Sequence, residues 1–368
     1  MTRAPESAGL DSRQLPGIGI AVRNGRLRNL HGVVVMRSGR LVFEQYFTGH
    51  DERLGMPLGQ VAFGPDTLHD VRSVTKSVVS LLYGIALADG HVPPLECPLL
   101  EALPDYPDLE GDPARMRIRV KHALTMTMGT EWNEGTPYSD PRNDERRMAV
   151  AADRYRFVLD RPLTTPPGER WNYNGGATAV IAALVARGTG RPLLDYAKER
   201  LFDPLGIEHL DWMSDDGREP SAAAGLRLRP RDVAKIGQLV LDGGRWGDRQ
   251  VVPAAWLKES VEPRIDVEPL VRYGYFWWLG AASVGDIPAP WIAAFGNGGR
   301  RLFVLPELEL VVAVTAGRYN QPDGRRTPMA VLTQFVVPAL AIGPRTSPMR
   351  GLALAPEVVR ASSIDLID

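Results

Sequence analysis

The segment VRSVTKSVVS, residues 71–80, places Ser73 three positions before Lys76 at the start of an apolar run. Residues three apart share a helix face, so the hydroxyl and the amine can meet. A serine hydroxyl becomes a useful nucleophile once a base takes its proton, and a helix N-terminus favours the anion that then develops. Lysine can be that base only where burial or neighbouring charge lowers its pKa. Of the 43 basic residues only five are lysine, and arginine, the default cation here, cannot give up its proton. This is the only Ser-x-x-Lys in the chain, against roughly 0.2 expected by chance pairing. The competing reading of Lys76 is a solvated helix charge.

Two other segments carry chemistry. In PPGERWNYNGGATAVIAALV, residues 166–185, Tyr173 follows a Pro-Gly turn and precedes a helix; a tyrosine near a cation can relay protons, or it is a half-buried loop residue. In FGNGGRRLFVLPELELVV, residues 295–312, Gly296, Gly298 and Gly299 lead into a strand. Glycines there let the backbone approach a ligand, with the next amide joining the Ser73 amide in an oxyanion hole, or they make a tight turn. Trp132, Tyr138, Trp171, Trp291 and Phe295 lie near these motifs and suit either an apolar substrate pocket or the core.

Several elements must position these groups. Residues 31–37 and 41–47 read as a hairpin joined by Ser38, Gly39 and Arg40. From Ser73, apolar residues at helical spacing (Val74, Val78, Leu81, Leu82, Ile85) run to Gly90, a stop signal. Residues 91–225 carry helical patterns broken by Pro and Gly, and 273–280, 300–306 and 308–317 read as strands, the last two turned by Pro306 and Glu307. Strands at both ends with helices between predict one sheet built from distant segments, a helical insertion and a cleft at their junction. The expected division is a sheet lobe of residues 1–70 and 221–344, a helical lobe of 71–220 and a tail of 345–368.

Composition narrows the classes. A chain of 368 residues, 44% hydrophobic and 24% charged, buries a large core. A net charge of −1 without charge runs argues against nucleic acid, and no apolar stretch of spanning or leader type argues against membrane and export, leaving the cytoplasm as the expected compartment. The single cysteine, Cys97, excludes internal disulfides and multi-cysteine metal sites and reads as structural. His122 reads as a structural histidine, and neither HExxH nor GxSxG occurs.

In this order the three motifs resemble the serine β-lactamase and penicillin-binding-protein superfamily, most closely its class C-like branch of esterases, D-peptidases and 6-aminohexanoate-dimer hydrolases. The segments IRVKHALTMTMGTEW (118–132), KERLFDPLGI (198–207) and GLRLRPRDVAKIGQLVLDGG (225–244) extend the resemblance over residues 17–342. It implies an α/β (α+β) fold with an antiparallel sheet flanked by helices, and an acyl-enzyme mechanism without metal or organic cofactor on a small ester or amide. Ser73 is then the nucleophile, Lys76 and Tyr173 manage its proton, and the backbones of Ser73 and Arg300 form the oxyanion hole. Asn174, Asn297, Gly298, Gly299, Trp132 and Trp171 are the expected substrate contacts. Two departures matter. The family's Tyr-x-Asn reads Tyr173, Asn174, Gly175, and its Lys-Thr-Gly or His-x-Gly reads Asn297, Gly298, Gly299. The lost cation weighs against β-lactamase and D-alanyl-D-alanine carboxypeptidase activity, unless Arg300 or Arg301 replaces it. A catalytically silent binding protein of the same fold and an acyl transferase are the other readings.

Overall fold

The computed structural model describes residues 9–340 except 12, 215, 216, 218, 285 and 286. The expected 345–368 tail lies outside the described residues. The main sheet has eight strands: β1 (Leu30–Arg37), β2 (Arg40–Tyr46), β3 (Ile265–Glu268), β4 (Val271–Tyr273), β5 (Trp278–Val284), β6 (Ile287–Gly296), β7 (Arg300–Leu305) and β8 (Leu310–Ala316). Their order is β3-β4-β5-β6-β7-β8-β1-β2, antiparallel throughout, and the pairing of β1 with β8 joins the two ends of the chain. Ser38 and Gly39, both at positive φ, make the two-residue turn from β1 to β2, so Arg40 is already paired with Arg37.

Alternation along β7 shows how the sheet is buried. Leu302 and Val304 join the core that includes helix α2 (Val74–Ala88), whereas Phe303 and Leu305 join the core formed with helices α1 (Gly17–Arg23) and α5 (Arg326–Ala330). Both faces are therefore covered, and the strands read as continuous apolar runs. Helix α4 (Pro230–Leu241) lies against β7, β8 and β1; Gly237 lets it come close, since a Cβ there would stand 2.5 Å from Val311.

Helix α2 runs through the molecule, buried along nearly its whole length, against helix α3 (Gly175–Thr189) and Ala254–Ser260. Two expectations need correction. Residues 273–280 are not one strand: Phe276 takes φ +60, and the chain turns between β4 and β5. Strand β6 and the hairpin of Thr48–Arg53 with Met56–Ala62 were not anticipated. In the second hairpin, exposed faces and a bulge blur the two-residue period.

Candidate active site

The loop into α2 sets the position of Ser73. Arg72 takes φ +53, which a non-glycine residue adopts only under constraint, and a 2.6 Å contact to Glu52 and the Tyr319 ring 4.8 Å away hold its guanidinium. Ser73 follows as the helix N-cap residue, yet its hydroxyl caps no backbone amide. Its Oγ is left for chemistry: Lys76 Nζ reaches it at 3.0 Å, and the Ser73 hydroxyl is also hydrogen-bonded to Tyr173. The spacing of three residues thus does what the sequence predicts.

The state of Lys76 does not follow the prediction. Its side chain is 1% exposed, and Nζ also donates to the Ala223 carbonyl at 3.0 Å and to Glu145 at 3.4 Å. Burial disfavours the ammonium, but Glu145, Tyr173 and Glu134 outweigh it and raise the lysine pKa. The sequence reading required a lowered value. The structure instead gives a cationic lysine held by Ser73, Ala223 and Glu145, with the Tyr173 hydroxyl as a further hydrogen-bond partner.

The reason is a pair of carboxyl groups that no motif announced. Glu145 lies in helix Asp144–Ala149, whose N-cap Asn143 accepts from two of its amides. Glu134 lies in the preceding loop and accepts from Gly175 N–H at 2.6 Å, Trp132 Nε1–H at 2.7 Å and the Tyr138 hydroxyl at 2.8 Å. The two carboxyls are hydrogen-bonded to each other, and burial followed by Glu145 pushes Glu134 up to about 8. One proton held between two acids beside one ammonium leaves this corner near neutral. The acids are eleven residues apart in a segment without periodicity, so only tertiary structure brings them to Lys76.

Tyr173 completes the centre. Lys76 Nζ stands 4.9 Å from its ring centroid, and its hydroxyl pKa is raised by burial against the opposing pull of Lys76. Trp171 packs on Tyr173 at 5.8 Å and on Trp278 at 5.5 Å, behind the cavity wall, while Trp132 holds Glu134. Asn174 accepts from Ala177 N–H at 3.0 Å and is the N-cap of α3. These three expected substrate contacts therefore sit in supporting positions outside the cavity lining.

Ser73 and Tyr173 open into a cavity of about 1000 Å³ that Asn297, Gly298 and Gly299 also line. A Cβ on Gly296 would stand 2.5 Å from the Val71 carbonyl, so this glycine lets the third motif close onto the loop before Ser73. Gly298 and Gly299, at φ +88 and +90, form the turn from β6 to β7. Arg300 turns away and is 1% exposed; it donates to Asp51 and the Asp70 carbonyl, both at 2.9 Å, and to Tyr319 and Ala316. Arg301, on the other side of the same strand, lines the cavity. Trp278, Trp291 and Phe295 give the cavity an aromatic wall.

Elsewhere, among the described residues, His31, Asp51 and His69 bring potential ligand atoms within 4.8 Å of one another, but the Arg300 guanidinium holds Asp51 and opposes a second cation there. His122 accepts the Arg119 amide at 3.0 Å as part of a helix cap. Burial raises the Cys97 thiol pKa, away from thiolate reactivity.

Residues 6–334 match the family model described as Beta-lactamase. The chain belongs to the beta-lactamase family. It is 25% identical over 316 residues to the 6-aminohexanoate-dimer hydrolase of Paenarthrobacter ureafaciens, covering 79% of this chain and 73% of that protein. It is 29% identical over 203 residues to Esterase EstB of Burkholderia gladioli, covering 51% and 49%. Among solved structures, a putative 6-aminohexanoate-dimer hydrolase from Bacillus anthracis shares the fold with a TM-score of 0.69 and 18% identity, over 85% of this chain and 80% of that one. The chain is thus a hydrolase of the serine beta-lactamase superfamily with that superfamily's mixed sheet-and-helix fold. No helix among the described residues is long and apolar enough to cross a membrane.

Proposed function

We propose that this beta-lactamase-family hydrolase cleaves small esters or amides through an acyl-enzyme on Ser73, at the junction of a sheet lobe (1–70 and 221–344) with a helical lobe (71–220). The 3.0 Å contact of Lys76 Nζ with Ser73 Oγ, at the mouth of a cavity of about 1000 Å³, carries this reading.

Substrate entering the cavity displaces water and strengthens every charge interaction in it. The Nζ proton that faces Glu145 passes to that carboxylate. The neutral amine then takes the Ser73 proton as Oγ attacks the carbonyl carbon, and the backbone N–H groups of Ser73 and Arg300 receive the oxyanion. Tyr173 hands a proton to the leaving alcohol or amine. Water enters by the reverse route and releases the acid.

The experiment is release of 4-nitrophenol from a short acyl ester by wild type and Ser73→Ala, beside a chromogenic cephalosporin and a linear aminohexanoate dimer. Serine-dependent turnover of ester or dimer, with the cephalosporin intact, supports the proposal. Turnover that survives the loss of Ser73, or none on any substrate, overturns it.

A further inference from the structure

Three consecutive residues after β8 each reach the turn between β6 and β7 or the loop before Ser73. The Arg318 amide donates to the Gly298 carbonyl at 2.9 Å. Asn320, at φ +54, exchanges two hydrogen bonds with the Asn297 side chain, at 2.9 and 3.0 Å. Tyr319 stands between them in sequence, and two guanidiniums lie against its ring: Arg300 at 4.2 Å from the centroid and Arg72 at 4.8 Å. Its hydroxyl accepts from Arg300 and donates to Asp51 at 2.5 Å, and Asp51 also pairs with Arg300 at 2.9 Å.

The two arginines are the ones nearest the proposed oxyanion donors. Arg72 directly precedes Ser73, and Arg300 carries the second amide itself. Their backbones face each other across Gly296, where an added Cβ would stand 3.1 Å from the Cβ of each. The Arg300 guanidinium also donates to the Asp70 carbonyl, 230 positions away, at 2.9 Å. Asp51 and Glu52 neutralise the two guanidiniums, which leaves the cluster without charge to offer a ligand. Tyr319 does not line the cavity into which Ser73 opens.

An oxyanion hole is effective when its donors are already aimed at the place where the oxygen becomes negative, and a displacement of about 1 Å can cost about 10²-fold in rate. The left-handed Arg72 backbone persists only where its surroundings hold it, and its side-chain anchors are Glu52 and the Tyr319 ring.

We infer that Tyr319 is a positioning residue for hydrolysis: through Arg72 and Arg300 it aligns the amides of Ser73 and Arg300 on the developing oxyanion. This rests on Ser73 being the nucleophile and on those two amides forming the hole.

The test compares 4-nitrophenyl acetate with its thionoester, in which sulfur replaces the carbonyl oxygen. Sulfur is larger and a weaker acceptor, so it gains less from two well-placed amides. The readout is the ratio of kcat/KM for ester to thionoester, which cancels any loss of folded enzyme. Tyr319→Leu should lower kcat for the ester about 10²-fold with KM little changed, and shrink the ratio about tenfold or more. Tyr319→Phe keeps the ring against both guanidiniums and should retain most of the ratio. Arg72→Gln removes the other end of the contact and should shrink the ratio as Tyr319→Leu does. The double variant should then fall no further than Tyr319→Leu alone, because both changes act through one contact. A ratio that Tyr319→Leu and Arg72→Gln leave unchanged, or losses that multiply in the double variant, overturns the inference while the hydrolase reading stands. Ester turnover by wild type that is no faster than by Ser73→Ala overturns the hydrolase reading and this inference with it.

Discussion

Lys76 Nζ and the Glu145 carboxylate are 3.4 Å apart, joining a residue of helix α2 to one 69 positions along the chain. The contact fixes the lysine as a cation at rest, so a base at this position must first lose a proton to its partner. Glu145→Gln removes that acceptor and the charge that raises the Lys76 pKa. We expect kcat/KM on a 4-nitrophenyl ester to fall about 10²-fold at neutral pH, within the usual range for proton-transfer groups. The acid limb of the pH profile should also move to lower pH. A limb that stays in place would show that Glu145 does not control Lys76.

Glu134 predicts a pH-dependent stability. Its pKa is near 4.5 without the fold and is pushed up to about 8 within it, so the folded protein binds this proton more tightly. The stabilisation from that proton is complete below about pH 4.5 and is lost as pH rises through about 8. Thermal melts of wild type should fall between these limits, and Glu134→Gln should flatten the slope. Parallel slopes for the two proteins would contradict the assignment.

Gly296→Ala tests the closure of the third motif. The added methyl would stand 2.5 Å from a backbone oxygen, which cannot rotate away, so the turn must move. A destabilisation of about 1–3 kcal/mol by chemical denaturation is expected, as for other overpacked sites. Ester turnover should fall with it, because the amide of Arg300 moves with the turn.

Asn174→Ala separates capping from substrate binding. As the N-cap of α3 the residue should contribute about 1 kcal/mol to stability. The expected variant melts earlier with KM for neutral esters little changed; a large KM effect at unchanged stability would restore Asn174 to the binding surface.

The sequence by itself determined what is local. Ser73 and Lys76 meet because three residues make nearly one helical turn, and β7 and β8 were legible because two apolar runs flank a proline turn. It fell short where chain-distant contacts or single dihedrals decide. The left-handed Phe276 divides what reads as one strand, and the proximity of Glu134 and Glu145 to Lys76, which reverses its expected charge state, depends on a loop folding over α2. The choice between Arg300 and Arg301 also lay with the tertiary structure. Adjacent strand residues point to opposite faces, so the pattern says that one of them faces the cavity and only the packing of β7 says which.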